Sequence, residues 1–289
     1  MSACPHRPLP SLTLAAVALL MTVGSAWSQP PDGRVNRIEE AKTIRIAHRM
    51  DAAPFSFVND QQEPAGYTVD LCRLIARALE QGMSAPLKIE WVPVTTQNRF
   101  TAVADGTADM ECGSSTVSLG RMRDVDFSSF IFVENTALAV MPSSAIRGFD
   151  DLRGRKIAVI TGTTNQRALA RELERRRLSA TVIQVANRDE GMTALETGLV
   201  DAFANDRYLL GGTARGKRFA MLPEDISIEP YAIVLPRGDW AFRLAVNTAL
   251  AQIFRGGDIL DIFTKWFGGV ALRPSPLIGS VYLLGALPE

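Results

Sequence analysis

The sequence predicts an α/β protein with two similar lobes, each a mainly parallel sheet flanked by helices, joined by two extended crossings. Between residues 43 and 111, strand-like and helix-like segments alternate with short connections, which is typical of a parallel sheet covered by helices. The same pattern starts again at residue 150. A short internal echo also indicates two halves, because residues 102–110 and 194–202 both run from a helix through a glycine into an Asp-led strand.

The individual elements follow from hydrophobic periodicity. Strands are expected at residues 43–48, 88–92, 109–111, 181–185 and 202–205, and the pattern starts again over residues 150–160. Helices are expected at residues 66–82, 99–106, 162–177, 188–197, 240–254 and 259–267. Two extended runs, 130–141 and 228–236, would cross between the lobes, which suits a hinge that closes on a small molecule. The tail from residue 271 is too short to span a bilayer, and we expect it to dock on the surface.

The composition is that of an ordinary globular protein. Of the 289 residues, 47% are hydrophobic and 21% are charged, and the formal net charge is zero. A neutral chain gives no indication of binding to nucleic acid or to an anionic membrane surface. The length fits one large domain or two domains of medium size.

The first 28 residues have the pattern of a cleavable secretory signal peptide. His6 and Arg7 precede an apolar core at residues 12–23, and small residues at positions 26 and 28 mark a cleavage site. This core is shorter than the roughly 20 apolar residues that a membrane anchor needs. No cysteine that could carry a lipid follows it. We therefore expect an exported, soluble mature protein.

Export gives the cysteines a meaning. Two remain in the mature chain, Cys72 and Cys112. In an oxidising compartment an even count favours a disulfide, and two buried free thiols are the alternative.

His48 is the one histidine after the signal segment, so we expect neither a metal site nor a histidine-dependent nucleophilic triad. His48 itself fits a core or cleft-edge position better than a ligand-binding role.

The loop at residues 109–121 has the parts of a carboxylate-binding site. Gly113 allows a close backbone approach, three hydroxyl residues follow it, and Arg121 supplies a planar guanidinium. The alternative is a helix cap at Thr116 or Ser118, with Arg121 in solvent.

Other polar side chains fall at the ends of the predicted strands. Arg49, Thr96 and Arg99 follow the first two strands, and the hydroxyl residues of the loop follow the third. Ligands on parallel sheets bind at the carboxyl ends of the strands. This coincidence favours a binding site over a set of unrelated surface residues.

Seven short motifs lie in a specific order between residues 36 and 267. They are His48-Arg49, Pro54-Phe55-Ser56, residues 66–72 (Gly-Tyr-Thr-Val-Asp-Leu-Cys), residues 95–99 (Thr-Thr-Gln-Asn-Arg), residues 111–114 (Glu-Cys-Gly-Ser), residues 162–165 (Gly-Thr-Thr-Asn) and residues 265–268 (Lys-Trp-Phe-Gly). Together they resemble the periplasmic amino-acid-binding proteins of ABC importers, the bacterial family 3 solute-binding proteins, and most closely the glutamate/aspartate-binding subgroup.

The resemblance implies a type II periplasmic-binding-protein fold. Lobe 1 would comprise residues 36–135 and 233–268, lobe 2 residues 136–232, and a C-terminal tail residues 269–289. It also implies a monomeric periplasmic protein whose partners are a small amino acid and an inner-membrane ABC permease, with no nucleic acid, cofactor, metal or catalytic residue.

Residue roles follow from the same resemblance. Arg121, with Ser114 and Thr116, would hold the ligand α-carboxylate, and Asp206 would take the α-ammonium. The alternative for Asp206 is a helix cap.

The side-chain end of the ligand would meet a second set of residues. In the subgroup that binds acidic ligands, Arg49, Thr96 and Arg99 would contact the side-chain carboxylate. Thr163 matches a threonine of the second lobe at the start of a helix. The alternative for Arg99 is a surface position.

One position departs from the subgroup, which has a histidine in the segment matching residues 188–191. We place Glu190 there. A carboxylate that faces a ligand carboxylate is unfavourable unless an arginine lies between them or it is protonated. Glu190 is therefore expected to pair with Arg49 or Arg99, to point to solvent, or to accompany a ligand with a neutral group. If it lies inside the site, a dicarboxylic ligand leaves the site neutral.

Two other functions remain possible on this scaffold. One is a lyase similar to cyclohexadienyl dehydratases, with Glu190 as general acid, which would require a raised pKa. The other is a sensor or chemoreceptor-coupled binding protein, which the sequence does not distinguish from a transport protein.

Overall fold

The computed structural model describes residue 1 and residues 33–83, 86–213, 219–269 and 273–288. The predicted signal peptide lies outside these residues, apart from Met1. Most of the expected mature chain lies within them.

Helices and strands alternate through most of the described chain. The strands are β1 (Thr43–Arg49), β2 (Asp51–Ala52), β3 (Ser56–Val58), β4 (Pro64–Ala65), β5 (Lys88–Val94), β6 (Met110–Glu111), β7 (Val125–Val140), β8 (Lys156–Ile160), β9 (Thr181–Val185), β10 (Ala202–Asp206), β11 (Ala220–Met221) and β12 (Ser227–Pro236). The helices are α1 (Arg34–Ala41), α2 (Tyr67–Gln81), α3 (Arg99–Ala104), α4 (Thr164–Arg175), α5 (Arg188–Glu196), α6 (Arg207–Thr213), α7 (Trp240–Gly256), α8 (Asp258–Phe267) and α9 (Pro276–Gly285). Short 3-10 helices cover Arg121–Arg123 and Phe149–Leu152.

Nine of the described strands form one mixed sheet. Its order is β5-β1-β6-β12-β7-β10-β8-β9, with β11 paired to β7, and β2, β3 and β4 form a separate small sheet. β1 is parallel to β5 and β6, and β8 is parallel to β9 and β10. We call β1, β5 and β6 the first half of the sheet, and β8, β9 and β10 the second half.

Two long antiparallel strands connect these halves. β7 pairs with β12 from Val125 to Thr136, and its last five residues pair with β10. These strands correspond to the two extended runs expected from the sequence. β7 begins five residues earlier than expected, because polar residues at 126, 128 and 129 interrupt the apolar run although Val125 and Phe127 are buried. The lobe boundaries inside these strands stay a prediction.

Hydrophobic cores lie on both sides of the sheet. The largest packs α2, α7, α8 and α9 against the first half, and its centre is aromatic, with the rings of Phe55 and Phe132 4.9 Å apart. The second half is covered by two clusters, one containing Leu138 and the other Ala139. Neighbouring residues of a strand point to opposite faces, so this sheet is buried on both of them, as parallel sheets usually are.

A disulfide joins α2 to the end of β6. Cys72 and Cys112 are fully buried, with their sulfur atoms 2.00 Å and their Cα atoms 6.4 Å apart. The disulfide expected from the even cysteine count is therefore confirmed. It ties the residue after Glu111 to the main core.

Helix α9, the last helix of the described residues, belongs to the main core. Ile278 and Tyr282 of α9 are buried there, and the hydroxyl group of Tyr282 lies 2.9 Å from that of Tyr67. None of the helices in the described ranges is long and apolar enough to cross a membrane.

Candidate ligand-binding site

A narrow cleft separates the strand ends of the first half from the ends of the second half. It encloses about 20 Å³, which is room for about one water molecule. Eight of the nine residues predicted from the sequence line it, namely Arg49, Thr96, Arg99, Ser114, Thr116, Arg121, Thr163 and Asp206. Thr164, Asn165, Arg188 and Asn205 also line it and were not predicted.

Arg121 is held at one end of the cleft. Its Nη1 donates to the carbonyl oxygen of Thr116 at 2.7 Å, and its guanidinium carbon lies 4.7 Å from the centre of the Phe100 ring. Thr116 is fixed in turn by a β-bridge to Tyr231. Burial, and then Arg167, lowers the pKa of Arg121 to about 10, so it remains charged at neutral pH. The solvated Arg121 of the alternative interpretation is therefore not observed.

Asp206 faces the cleft from the end of β10. Its Oδ1 accepts a hydrogen bond of 2.6 Å from Asn165 Nδ2, and its Oδ2 accepts one from the hydroxyl group of Tyr231. Burial, reinforced by Glu229, raises the pKa of Asp206 to about 6. Neutral donors hold this carboxylate, and a positively charged ligand group would stabilise its ionised form.

Thr163 has a structural role at the same side of the cleft. It is the N-cap of α4, where its hydroxyl group accepts a hydrogen bond from Gln166 N at 3.2 Å and donates to Ile160 O at 2.7 Å. The next residue, Thr164, places its hydroxyl oxygen 3.3 Å from that of Thr116 across the cleft. The N-terminus of α4 therefore contacts the loop at residues 109–121 directly.

Three further arginines line the same cleft, and we call Arg49, Arg99 and Arg188 the arginine cluster. Each is at most 3% exposed. The Nε–H group of each is buried and has no hydrogen-bond partner within the described part of the chain. Burial, with the nearby charges of Arg121 and Arg49, lowers the pKa of Arg99 to about 9. A buried donor without an acceptor is costly, so this cluster is suited to an anionic ligand group.

Two carboxylates stand beside the arginine cluster. Asp51 Oδ1 lies 2.5 Å from Arg49 Nη2. Glu111 is completely buried, and burial raises its pKa although Arg99 acts in the opposite direction. Gly113 makes room for Glu111, because a Cβ atom there would overlap Glu111 Oε1 and lie 3.1 Å from Arg49 Cγ. The glycine of the loop is thus required by a neighbouring carboxylate.

Glu190 does not line the cleft. Its side chain is exposed, and its Oε2 accepts a hydrogen bond of 2.8 Å from the backbone N of Ala186. Its own backbone N donates to Asn187 Oδ1 at 2.9 Å, so the two side chains form a reciprocal cap at the start of α5. Of the three arrangements expected for Glu190, the structure has the one in which it points away from the ligand site.

Arg188 takes the cleft-facing position on the same helix. Its Nη1 donates to the backbone carbonyl of Asp51 in β2, two residues after the end of β1. A second bond crosses the cleft nearby, from Gln97 Nε2 to the carbonyl of Ala186 at 2.9 Å. The sequence held a signal for this placement, because Asn-x-x-Glu at residues 187–190 has the spacing of a capping box, which turns Glu190 back onto the backbone.

His48 lies at 5% exposure outside the cleft lining, with its ring edge-on to Trp91 at 5.9 Å between centroids. This is the core or cleft-edge position expected for it. Among the described residues, no group of histidine, cysteine and acidic side chains is arranged to hold a metal ion.

Known proteins resemble this chain over most of its length. Residues 44–269 match the bacterial extracellular solute-binding proteins, family 3. An L-glutamate/L-aspartate-binding protein of Pseudomonas aeruginosa is 32% identical over 271 residues, which covers 90% of this chain and 88% of that protein. A glutamate/aspartate import solute-binding protein of Salmonella typhimurium is 31% identical over 268 residues, covering 90% and 89%.

Solved structures show the same architecture. An ancestral amino acid-binding protein, described as a precursor of cyclohexadienyl dehydratase, matches with a TM-score of 0.71 at 25% identity. The match covers 81% of this chain and 99% of that one.

Proposed function

The chain belongs to the bacterial extracellular solute-binding proteins of family 3, and we propose that it captures glutamate or aspartate and delivers it to an ABC permease. It has the α/β periplasmic-binding-protein fold, as the sequence predicted. In this proposal the mature protein is a periplasmic monomer, and its two lobes close on the amino acid. The names of the two glutamate/aspartate-binding relatives support the ligand class.

One observation carries the proposal: the three buried arginines of the arginine cluster, each with an unpaired Nε–H, share a cleft with Arg121 and Asp206. An α-amino acid needs one cation and one anion for its head group. The remaining arginines then have no partner in the head group. A second ligand carboxylate would satisfy them, which favours a dicarboxylic amino acid over a neutral one.

We assign the head group to the residues that hold Arg121 and Asp206. Arg121, with the hydroxyl groups of Ser114 and Thr116, would bind the α-carboxylate, and Asp206 would bind the α-ammonium. Thr163 caps α4 beside the proposed head-group site. It would act by holding the start of this helix in place more than by donating a hydrogen bond to the ligand.

The side chain of the ligand would bind the arginine cluster together with Thr96. Arg188 enters this assignment in place of Glu190, whose carboxylate is used in the cap of α5. Micromolar affinity needs about 8 kcal/mol, and charge-assisted hydrogen bonds contribute roughly 1.5–3 kcal/mol each. A few such bonds, after the cost of ordering, are sufficient.

Binding of an amino acid requires the cleft to open, because about 20 Å³ is far too small for one. Opening would break the hydrogen bonds from Arg188 to Asp51 and from Gln97 to Ala186, and β7 and β12 are the strands that would bend. Hinge closure of this kind is common around ligands.

The lyase alternative required Glu190 as a general acid inside the cleft. The exposed, backbone-bonded Glu190 gives that role no support, although a dehydratase precursor is among the structural matches. We therefore propose a binding protein.

A thermal-shift screen of the purified mature protein against the common amino acids and small dicarboxylates tests the proposal. A ligand at about a thousand times its Kd should stabilise the protein by roughly 4 kcal/mol. We expect glutamate and aspartate to stabilise it, with dicarboxylates that lack an ammonium group much weaker. Stabilisation by neutral or basic amino acids alone would contradict the proposed ligand class.

A further inference from the structure

Two carboxylates next to the arginine cluster are unexpected in a site for an acidic ligand. Asp51 contacts the cluster twice, through its carboxylate to Arg49 at 2.5 Å and through its backbone carbonyl to Arg188. Glu111 is completely buried on the inner side, where Arg99 and Arg49 are among the cations that act on it. An ionised carboxylate this close to the cluster opposes the binding of an anion there, so the position of both carboxylates behind the cleft lining needs a reason.

The charges of the arginine cluster and of its two neighbouring carboxylates can be counted. The arginine cluster carries three positive charges. Burial alone would raise the pKa of Asp51, but Arg49 and Arg188 outweigh burial and lower it, so Asp51 is ionised at neutral pH. Burial raises the pKa of Glu111, and the charges of Arg99, Arg49 and Arg121 oppose that effect. We count Glu111 as ionised among these cations, so the net charge of the cluster and its two carboxylates is about one positive unit. A ligand side chain with one negative charge brings that sum to zero, and buried sites disfavour charge that is left uncompensated.

We propose that Asp51 and Glu111 determine specificity as internal counter-charges, so that the arginine cluster selects a ligand side chain with one negative charge over one with two or none. This inference rests on the proposed function, because it places an amino acid head group at Arg121 and Asp206. Without the two carboxylates, the three arginines would match a phosphate-like group better than a carboxylate.

A purely structural role makes a different prediction. If Asp51 only orients Arg49, or if Glu111 only fills space beside Gly113, their replacement should change the affinity for every ligand by a similar factor. A counter-charge instead changes the ratio of affinities between ligands that share the head group and differ in side-chain charge. The ratio is therefore the quantity to measure.

The experiment uses three amino acids of graded side-chain charge. L-Glutamine, L-glutamate and O-phospho-L-serine carry about zero, one and nearly two negative charges on the side chain at pH 7.5, since the second pKa of a phosphate monoester is about 6. Their Kd values are measured by isothermal titration calorimetry for the mature protein and for the variants Asp51→Asn and Glu111→Gln. Asp189→Asn is the matched control, because Asp189 is exposed on α5 directly after Arg188.

In the unmodified protein we expect glutamate to bind most tightly. In Asp51→Asn and in Glu111→Gln, the affinity for O-phospho-L-serine relative to glutamate should rise by about tenfold or more, because one nearby charge has been removed. The affinity for glutamine relative to that for glutamate should fall in the same variants. In Asp189→Asn both ratios should stay within about twofold.

Ratios that stay unchanged in both Asp51→Asn and Glu111→Gln, with glutamate still bound, would overturn the inference and leave the proposed function intact. Failure of the unmodified protein to bind glutamate or aspartate would overturn both. Glu111→Gln alters a buried group, so its fold is checked by circular dichroism. Asp51 is partly exposed, and its variant keeps the test decisive if the other does not fold.

Discussion

Two groups of charged residues in the cleft are held in different ways. Arg121 and Asp206 are hydrogen-bonded by neutral groups, namely the Thr116 carbonyl, Asn165 and the Tyr231 hydroxyl group. The three arginines of the arginine cluster are partly compensated by Asp51 and Glu111. In our proposal the first group binds the head group that all α-amino acids share. The second group would then discriminate between side chains, because its charge balance depends on which ligand is bound.

Removal of Arg121 should have the largest effect. We expect Arg121→Ala to reduce the binding free energy of every amino acid ligand by about 3 kcal/mol, which raises Kd more than a hundredfold. The reason is that a buried α-carboxylate would lose its cation. Arg123→Ala, two residues on and exposed, is the matched control and should stay within about twofold. Titration calorimetry measures both. A loss confined to acidic ligands would show that Arg121 belongs to the side-chain end.

The pair Arg188 and Glu190 tests which residue of α5 belongs to the site. Arg188→Ala should reduce the binding free energy of glutamate by about 2 kcal/mol, which raises Kd about thirtyfold, since it removes one of the three cations proposed to bind the ligand side chain. Glu190→Ala should leave the affinity within about twofold and lower stability by about 1 kcal/mol through the lost cap. The opposite pattern in calorimetry would return Glu190 to the site and exclude Arg188.

Gly113 and Gly120 lie in the same loop and allow a test of packing around Glu111. Gly113→Ala would force a methyl group against the Glu111 carboxylate and Arg49, and overpacking of this kind costs about 1–3 kcal/mol of unfolding free energy. Within the described part of the chain, a Cβ atom built at Gly120 meets no atom within 4 Å beyond its two neighbouring residues, so Gly120→Ala should be nearly neutral. Urea unfolding curves compare them. Equal stability of the two variants would mean that Glu111 can move freely.

The affinity for amino acids should fall in acid because of Asp206. Its pKa is raised to about 6 by burial and by Glu229, and a ligand ammonium group favours the ionised form. Protonation therefore competes with binding, and Kd should rise by up to tenfold for each pH unit below about 6. The pKa of the buried Glu134 is also raised, by burial and by Asp206, so the measured midpoint belongs to these two carboxyl groups together. In Asp206→Asn, binding should be weak and its dependence on pH in this range much smaller; an unchanged pH profile would assign the titration to another residue.

Periodicity predicted the regular elements because they bury apolar faces, and β1, β5, β9 and β10 lie within two residues of the predicted bounds. β8 covers only the last five residues of the segment 150–160. Helix α6 was missed since it contains two consecutive glycines, which disfavour helices. The structure explains one of them: a Cβ atom at Gly212 would overlap the carbonyl oxygen of Ala53. Such a contact joins residues far apart in sequence, and no local pattern reveals it.

The sequence predicted some residues of the cleft and missed others. Arg49, Arg99, Arg121 and Asp206 lie at strand ends or in motifs, and the structure brings all four to one cleft. Arg188 was missed because the departure from the subgroup was placed two residues further along, at Glu190. On a helix, a shift of two residues moves a side chain to the opposite face. Arg188 donates to Asp51, which is 137 residues earlier in the chain, so the sequence alone gave no sign of this partner.

The two hydrogen bonds that cross the cleft, from Arg188 to the Asp51 carbonyl and from Gln97 to the Ala186 carbonyl, use only protein groups. Each contributes about 1 kcal/mol, so together they multiply the equilibrium constant for closure of the empty protein by about thirtyfold. A permease that recognises the closed shape would then receive a background signal from unloaded receptors. Stronger bonds would favour closure and so help to capture scarce ligand. The same bonds would also raise the fraction of closed protein that carries no ligand.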